Sequence, residues 1–467
     1  MAWQAQRLAL IRAATVAAFA VPVIDAPAAS PGVPQVAATA ADYVGYSIDD
    51  LPASFRTPVL QGFDNTPADN PITNSGAELG RVLFYDARLS HNNGTACASC
   101  HSQATGFGDE AQLSVGFEGG LTGRHSMALA NARFYDSGRF FWDERAATLE
   151  EQVLGPIQDA VEMGSNLTDL VGELAATEFY PVLFDRAFGD TEVTPDRISK
   201  ALAQFVRSMV SYESPYDEAV AAGGPGRPNF AAVDSIDNPA QVQQGHQLFA
   251  GTCGRCHTTD AQVATDTHNI GLDAVDTDEG AGNGEFKTPS LRNAAQRGRF
   301  MHDGRFASLE EVVAFYSGGV QPNANRSPLI PPGGFRFTPQ QRAALVAFLQ
   351  TLSDPVFLSS ELFSDPFVSL AGDYDGNGVV DMDDYAAWRA EFAEAEAGAG
   401  GPLYADGSGD GVVDAADYGL WRDNLGARWD DAWQALAAVV PEPGAVSLLA
   451  VAGSLAATRR RRRVAAP

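Results

Sequence analysis

Apolar positions recur along this chain with a helical period, and no stretch alternates in the way a half-buried strand would. The clearest case is residues 198–212, where Ala201, Leu202, Phe205, Val206 and Met209 share one face. Leu79, Val82 and Leu83 mark a helix start after Gly76. The spacing predicts further helices over 146–158, 241–249, 309–316 and 339–352. The last has Thr338 as its cap and Pro339 in the first turn, where a missing N–H costs nothing. Between these helices the chain is loop-rich. Gly106, Gly108, Gly116, Gly119, Gly120 and Gly123 make that segment a loop able to wrap a ligand.

Long loops bring little core of their own, so the cysteines matter. There are four, all in two runs: Cys97, Cys100, His101 and Cys253, Cys256, His257. C-x-x-C-H is a c-type haem attachment signature, in which two thiols bind the porphyrin and the next imidazole reaches the iron. The alternative is a zinc or redox-active C-x-x-C pair. Against it, each pair is followed at once by histidine, and about 150 residues lie between the pairs. Two covalent haems would supply much of the apolar interior that the loops lack.

The formal net charge of −28, from 59 acidic and 31 basic residues, disfavours nucleic acid and anionic lipid as partners and suits a basic redox partner. Part of that acid lies near 373–417, away from the haem motifs. At the N-terminus Arg7 and Arg12 precede an apolar stretch over 13–24 and a small-residue run at 26–29, which reads as an export signal over 1–30. A short amphipathic helix is the alternative. Residues 31–47 then read as a flexible leader.

Residues 48–353 resemble the bacterial di-haem cytochrome c peroxidase family, which includes MauG-like enzymes. The resemblance rests on ordered motifs: LGRVLF at 79–84, FWDERA at 141–146, LEEQ at 149–152, GP at 155–156, EMG at 162–164, TPSLRN at 288–293 and MHDGR at 301–305. It implies a mainly α fold with two cytochrome-c-like haem domains, here 48–225 (peroxidatic) and 226–353 (electron-transfer). It also implies roles. His101 and His257 would be the proximal iron ligands, Trp142 an electron-transfer stepping stone between the haems, and Gln152 and Glu162 distal-pocket residues. From the residues alone, Trp142 reads equally well as core packing and Glu162 as a cap or surface charge.

Two positions depart from the conventional peroxidases. The removable distal histidine stands sixteen residues beyond the first haem histidine, and that count reaches Phe117, which cannot ligate iron. His125 is the nearby substitute, although its setting matches the asparagine of the family's inter-domain calcium site. The second iron's methionine stands fourteen residues after the histidine of the MHDG stretch, and that count reaches Tyr316, as in MauG-like members. Phenolate ligation would lower that iron's potential relative to thioether; Met301 is the rival ligand. The resemblance also implies one calcium between the domains, held by backbone oxygens of Thr288 and Pro289. His125 weakens that implication, because imidazole is a poor oxygen substitute. His91, His246 and His268 take no role.

After a linker over 354–371, residues 372–430 contain a repeat offset by 33 residues. Asp373, Asp375, Asn377, Asp381 and Asp384 in one copy match Asp406, Ser408, Asp410, Asp414 and Asp417 in the other. Oxygen ligands at this spacing around Gly378 and Gly411 wrap calcium. The pair resembles a type I dockerin, a small calcium-loop α module, which implies about two calcium ions and either a cohesin-like partner or folding against its own chain. Residues 440–467 place VPEP before a short apolar stretch and five arginines. This resembles a PEP-CTERM sorting signal read by an exosortase-type enzyme; a membrane anchor is the alternative.

The expected protein is therefore an exported enzyme of the periplasm or cell envelope. It would reduce hydrogen peroxide with electrons from a small donor such as a mono-haem cytochrome or a cupredoxin. One alternative is a MauG-like oxidase acting on a protein or organic substrate through a high-valent di-haem state. Another is a non-enzymatic electron-transfer module with both irons six-coordinate.

Overall fold

A computed structural model describes residues 33–36, 45–46, 51–224, 226–263, 266–368, 370–374, 379–393, 403, 405–408 and 410–428. The export signal, most of the leader, Asp375, Asn377, Gly378 and the 440–467 tail lie outside the described residues. The architecture is helical. Its only paired strands among the described residues are two-residue strands, Val33–Pro34 against Phe367–Val368 and Thr267–His268 against Phe286–Lys287. No described helix is long and apolar enough to cross a membrane.

The first half contains α1 (Pro58–Phe63), α2 (Asn74–Tyr85), α3 (Leu149–Gln158), α4 (Leu167–Ala176), α5 (Phe179–Phe188) and α6 (Pro195–Ser208). The second contains α7 (Pro215–Gly223), α8 (Pro239–Gly251), α9 (Leu309–Ala314) and α10 (Pro339–Gln350). Each half has its own core. Leu79, Val82, Leu83, Phe84, Leu202 and Phe205 fill the first, where α2 crosses α6. Phe249, Leu345, Phe348 and Leu349 fill the second, where α8 crosses α10.

Both crossings depend on a glycine. A Cβ on Gly80 would overlap the Ala201 carbonyl oxygen, and one on Gly245 would overlap that of Ala344. Neither obstacle can rotate away, because each is backbone. Gly80→Ala and Gly245→Ala should each lower stability by about 1–3 kcal/mol, the typical cost of overpacking, measurable by denaturant titration of the loaded protein.

Helix ends differ from the sequence expectation for local reasons. α3 begins at Leu149, not 146, because Ala146 exchanges two backbone hydrogen bonds with Phe140 and Thr148 takes the cap position. α6 starts three residues early, on Pro195. It stops at Ser208, because the Ser211 hydroxyl and the Tyr212 and Glu213 N–H groups all donate to one oxygen of buried Asp354. α9 ends at Ala314 and continues as a π turn, Phe315–Gly319, which carries Tyr316.

The segment read as a linker packs on the first half. Within it α11 (Pro355–Ser359) buries Phe357, and Phe363 follows it into the first core. Tyr85 donates to the Phe363 carbonyl at 2.7 Å, and Arg81 to that of Ser364 at 2.7 Å. Two buried aromatics outweigh the turn-like composition of this stretch.

The acidic repeats form a separate small core around α12 (Met382–Glu391) and α13 (Ala415–Asn424). The copies interlock reciprocally, with Trp388 Nε1 donating to Asp414 O at 2.8 Å and Trp421 Nε1 to Asp381 O at 2.6 Å. Buried Asp384 accepts from the Tyr374 and Asp381 N–H groups, and Asp417 from those of Ser408 and Asp414. These bonds hold the twelfth-position carboxylates of both loops in register.

Candidate haem sites and the residues between them

Each C-x-x-C-H run forms a short 3₁₀ turn, Cys97–Ser99 and Cys253–Arg255, that brings the following histidine back over the first cysteine. His101 N–H donates to Cys97 O at 3.1 Å and His257 N–H to Cys253 O at 2.9 Å. The two runs line different cavities. The first, of about 80 Å³, holds Cys97, Cys100 and His101. The second has two contiguous parts of about 90 and 310 Å³ that share His257 and Tyr316, with Cys253 and Cys256 in the smaller. A single zinc site built from both pairs is therefore excluded.

These residues fit covalent haem. No cysteine is in a disulfide, and burial pushes the thiols up, Cys97 to about 12 and Cys100 and Cys256 to about 11. That is opposite to the lowered values of reactive C-x-x-C pairs. Burial lowers both histidines, His257 to about 4, which keeps the imidazoles neutral. His101 Nδ1 meets Phe107 O at 3.0 Å and His257 Nδ1 meets Gln262 O at 3.4 Å. With Nδ1–H donating to a carbonyl, Nε2 presents its lone pair to iron. Phe107 and Gln262 both have left-handed backbones, φ 63° and 50°, which turn those carbonyls inward.

The first cavity also brings Gln152, Glu162, Pro156 and Met163 to its wall. Burial, aided by Asp159 and opposed by Arg145, raises the Glu162 carboxyl above its ordinary value. Phe117 packs instead on Gly164 and edge-on to His91, and its N–H donates to Glu162 O at 3.1 Å. His125 faces the other cavity: its Nδ1 lies 3.2 Å from Ala111 O, and its carbonyl accepts from Trp142 Nε1 at 2.7 Å.

Trp142 lines the 310 Å³ part of the second cavity, 6.5 Å edge-on from His302. Ser126 lines both this space and the first cavity. Tyr316 borders both parts of the second cavity, whereas Met301 borders only the larger. Thr288 and Pro289 are on the same wall. Among the described residues no group of three or more His, Cys, Asp or Glu is placed to hold a metal ion.

One relation escaped sequence reasoning. Residues 140–151 and 300–311 repeat with an offset of 160: Phe140 and Phe300, Asp143 and Asp303, Arg145 and Arg305, Leu149 and Leu309, with Glu-Glu following in both. The structures match as well. Phe140 bridges Ala146 and Phe300 bridges Phe306, while Phe141 and Met301 share φ near 70° (68° and 73°). Thr148 and Ser308 cap the matching helices. In this register Trp142 corresponds to His302 and Pro156 to Tyr316. The signal was present in the two Leu-Glu-Glu runs.

Comparison with known proteins agrees with this arrangement. The di-haem cytochrome c peroxidase profile matches residues 74–223 and the cytochrome c profile residues 242–353. The methylamine utilization protein MauG of Methylorubrum extorquens is 35% identical over 330 residues, covering 68% of this chain and 88% of the relative. MauG of Methylophilus methylotrophus is 33% identical over 298 residues, 61% of this chain and 84% of the relative. The cytochrome c551 peroxidase of Nitrosomonas europaea is 31% identical over 290 residues, 59% and 79%. Among solved structures, a MauG-like protein associated with microbial copper homeostasis superimposes with a TM-score of 0.59 at 31% identity, covering 68% of this chain and 98% of its own. With two attachment turns, two cavities and these relatives, the chain belongs to the di-haem cytochrome c peroxidase family that includes MauG.

Proposed function

We propose that this di-haem peroxidase keeps its first haem open on the distal side in every oxidation state, and reduces hydrogen peroxide there with electrons relayed from the second. The observation that carries the reading is Pro156. It stands on the first cavity wall at the register where the second half has Tyr316, and proline has no side-chain donor for iron. Phe117 supplies none either, and His125 is turned to the other cavity.

Bound haem supplies the iron centre and the one-electron redox changes. The protein's own groups manage protons and geometry. Glu162 takes the proton of the near peroxide oxygen and returns it to the far one, so that water leaves. The Gln152 amide, on the same wall, orients the peroxide. The whole reaction consumes two electrons and two protons and yields two waters. Trp142, on the wall of the second cavity, passes electrons from the second haem toward the first.

Tyr316 favours a second reading, in which an external protein or organic molecule is the electron source, as MauG-like relatives suggest. The remaining sequence features complete the proposal: export to the periplasm, calcium in the dockerin-like loops and on the Thr288 and Pro289 carbonyls, and processing of the tail. A basic donor protein suits the acidic surface.

Low-temperature EPR of the fully oxidised protein with both haems tests the open site. A high-spin ferric signal beside a low-spin one is expected, with immediate loss of both resting signals on adding peroxide. Two low-spin signals, and no reaction until one electron is supplied, would overturn it.

A further inference from the structure

Arg297 is a half-buried cation with a buried Nε, and no described residue provides it with an anion. Its Nη2 donates to the carbonyl oxygens of Ser290 and Arg292, each at 2.7 Å, while its Nε is closed off from solvent and has no hydrogen-bond partner. The four buried cations among the described residues are all matched: Arg292 binds Asp217 at 2.8 Å, Arg207 binds Glu150 at 2.6 Å, Lys287 binds Glu144 at 3.0 Å and Arg133 binds Asp64 at 2.8 Å. No described carboxylate pairs with Arg297. Burial alone pulls its value down to about 10, against a small opposing effect of Tyr135. A guanidinium whose Nε is out of water and unpartnered is costly unless a counter-ion arrives with something else.

Its position says what arrives. Arg297 lines the 310 Å³ space together with His257 and Tyr316, the expected axial pair of the second haem. Haem carries two carboxylates on its propionate arms. We infer that Arg297 is the counter-ion of a propionate of the second haem, with its free Nε–H as donor. The register with the first half makes this one-sided. Gly138 and Arg139 correspond to Gly298 and Arg299, and Arg297 falls opposite Ser137. The peroxidatic haem has no equivalent cation at this position. A positive charge beside one haem and not the other favours the ferrous state of the second, and so offsets part of the lowering by Tyr316.

This rests on a haem occupying the second cavity, so every variant is first scored for two haems by pyridine haemochrome. The informative variants are Arg297→Gln, Arg297→Lys and, as a control on the same cavity wall, Arg299→Gln. The readouts are the spectroelectrochemical titration of the low-spin haem and its propionate bending band in resonance Raman. R297Q should move the ferric–ferrous equilibrium about tenfold toward ferric, about 59 mV for one electron, and shift the propionate band. R297K should keep most of the native equilibrium, and R299Q all of it. The inference is overturned if loaded R297Q titrates like the native protein with an unmoved band. It is also overturned if R297K and R297Q shift alike, which would mean that the loop bonds to Ser290 and Arg292 matter and the charge does not. Should R297Q fail to hold two haems, R297K decides: loaded with a native titration it supports the charge, and unloaded it overturns it. A native chain with one haem would sink the two-haem reading itself.

Discussion

Glu162→Gln should slow the reaction of the oxidised protein with peroxide by about 10²–10⁴-fold, the usual contribution of a positioned acid–base group, while haem content and resting EPR stay native. Gln keeps the size of the side chain on the cavity wall but can neither take nor return a proton. The pH profile carries the sign. Burial and Asp159 raise the Glu162 carboxyl, and the carboxylate is the form that accepts the peroxide proton. The native rate should therefore fall as pH falls, with a midpoint above the ordinary glutamate value of about 4.3. E162Q should lose that limb. Stability runs the other way. A carboxyl raised in the folded state binds its proton more tightly there than in the unfolded chain, so its contribution to stability declines as pH rises through the folded value. E162Q removes that decline and should melt no lower than the native protein at neutral pH. Stopped-flow mixing with peroxide and a thermal melt separate the two effects. A parallel loss of rate and melting temperature would assign Glu162 a structural role only.

What was legible in the sequence is what is encoded by short spacing. The haem turns need five residues each, and the amphipathic runs need one face, so both could be read directly. Gln152 and Glu162 sit ten residues apart, on α3 and just beyond its end. Their meeting with His101 in one cavity was implied by resemblance alone. What was not legible depends on partners far away in the chain. Tyr212 closes the predicted helix only in sequence; in space Asp354, 142 residues on, captures its N–H and those of its neighbours. The stretch after residue 354 looked like a linker because its aromatics Phe357 and Phe363 find their core in the other half. Phe357 meets Phe107 at 5.5 Å, and Phe363 meets Phe205 at 6.4 Å. Arg297 drew no notice, since a basic residue in a polar run says nothing until its surroundings are seen to lack an acid. The repeat at an offset of 160 was hidden by substitution at its chemically decisive register positions, Trp142 for His302 and Pro156 for Tyr316. Divergence there gives two copies of one scaffold different side chains at matching positions.

That divergence makes Tyr316→Met the sharpest probe of the second site. The variant should keep two haems and a low-spin signal, with the potential of the second haem raised on the order of 10² mV, within the roughly 0.8 V that axial ligation commands. The direction follows from ligand chemistry: phenolate oxygen stabilises ferric iron, whereas thioether sulfur favours the ferrous state. The setting is suited to the substitution. Tyr316 lies in a π turn, whose extra residue per turn re-aims its side chain into the space beside His257. Leu349, Val312 and Leu291 around it are apolar and accept methionine's flexible stem. Tyr316→Phe is the control, since it keeps the ring and removes the oxygen; the second haem should then turn high-spin. If Y316F instead stays low-spin with an unchanged potential, Tyr316 is packing and Met301, on the wall of the same cavity, becomes the ligand. Peroxide reactivity distinguishes the functional readings. A raised second potential makes ferric–ferrous cycling easier and stabilises oxidised second-haem states less. Y316M should therefore retain turnover with a reduced donor but lose much of its peroxide reaction from the fully oxidised form. An oxidised-form reaction as fast as native would mean that the second haem's potential does not govern it, and that the first cavity, with Pro156 on its wall, is sufficient alone.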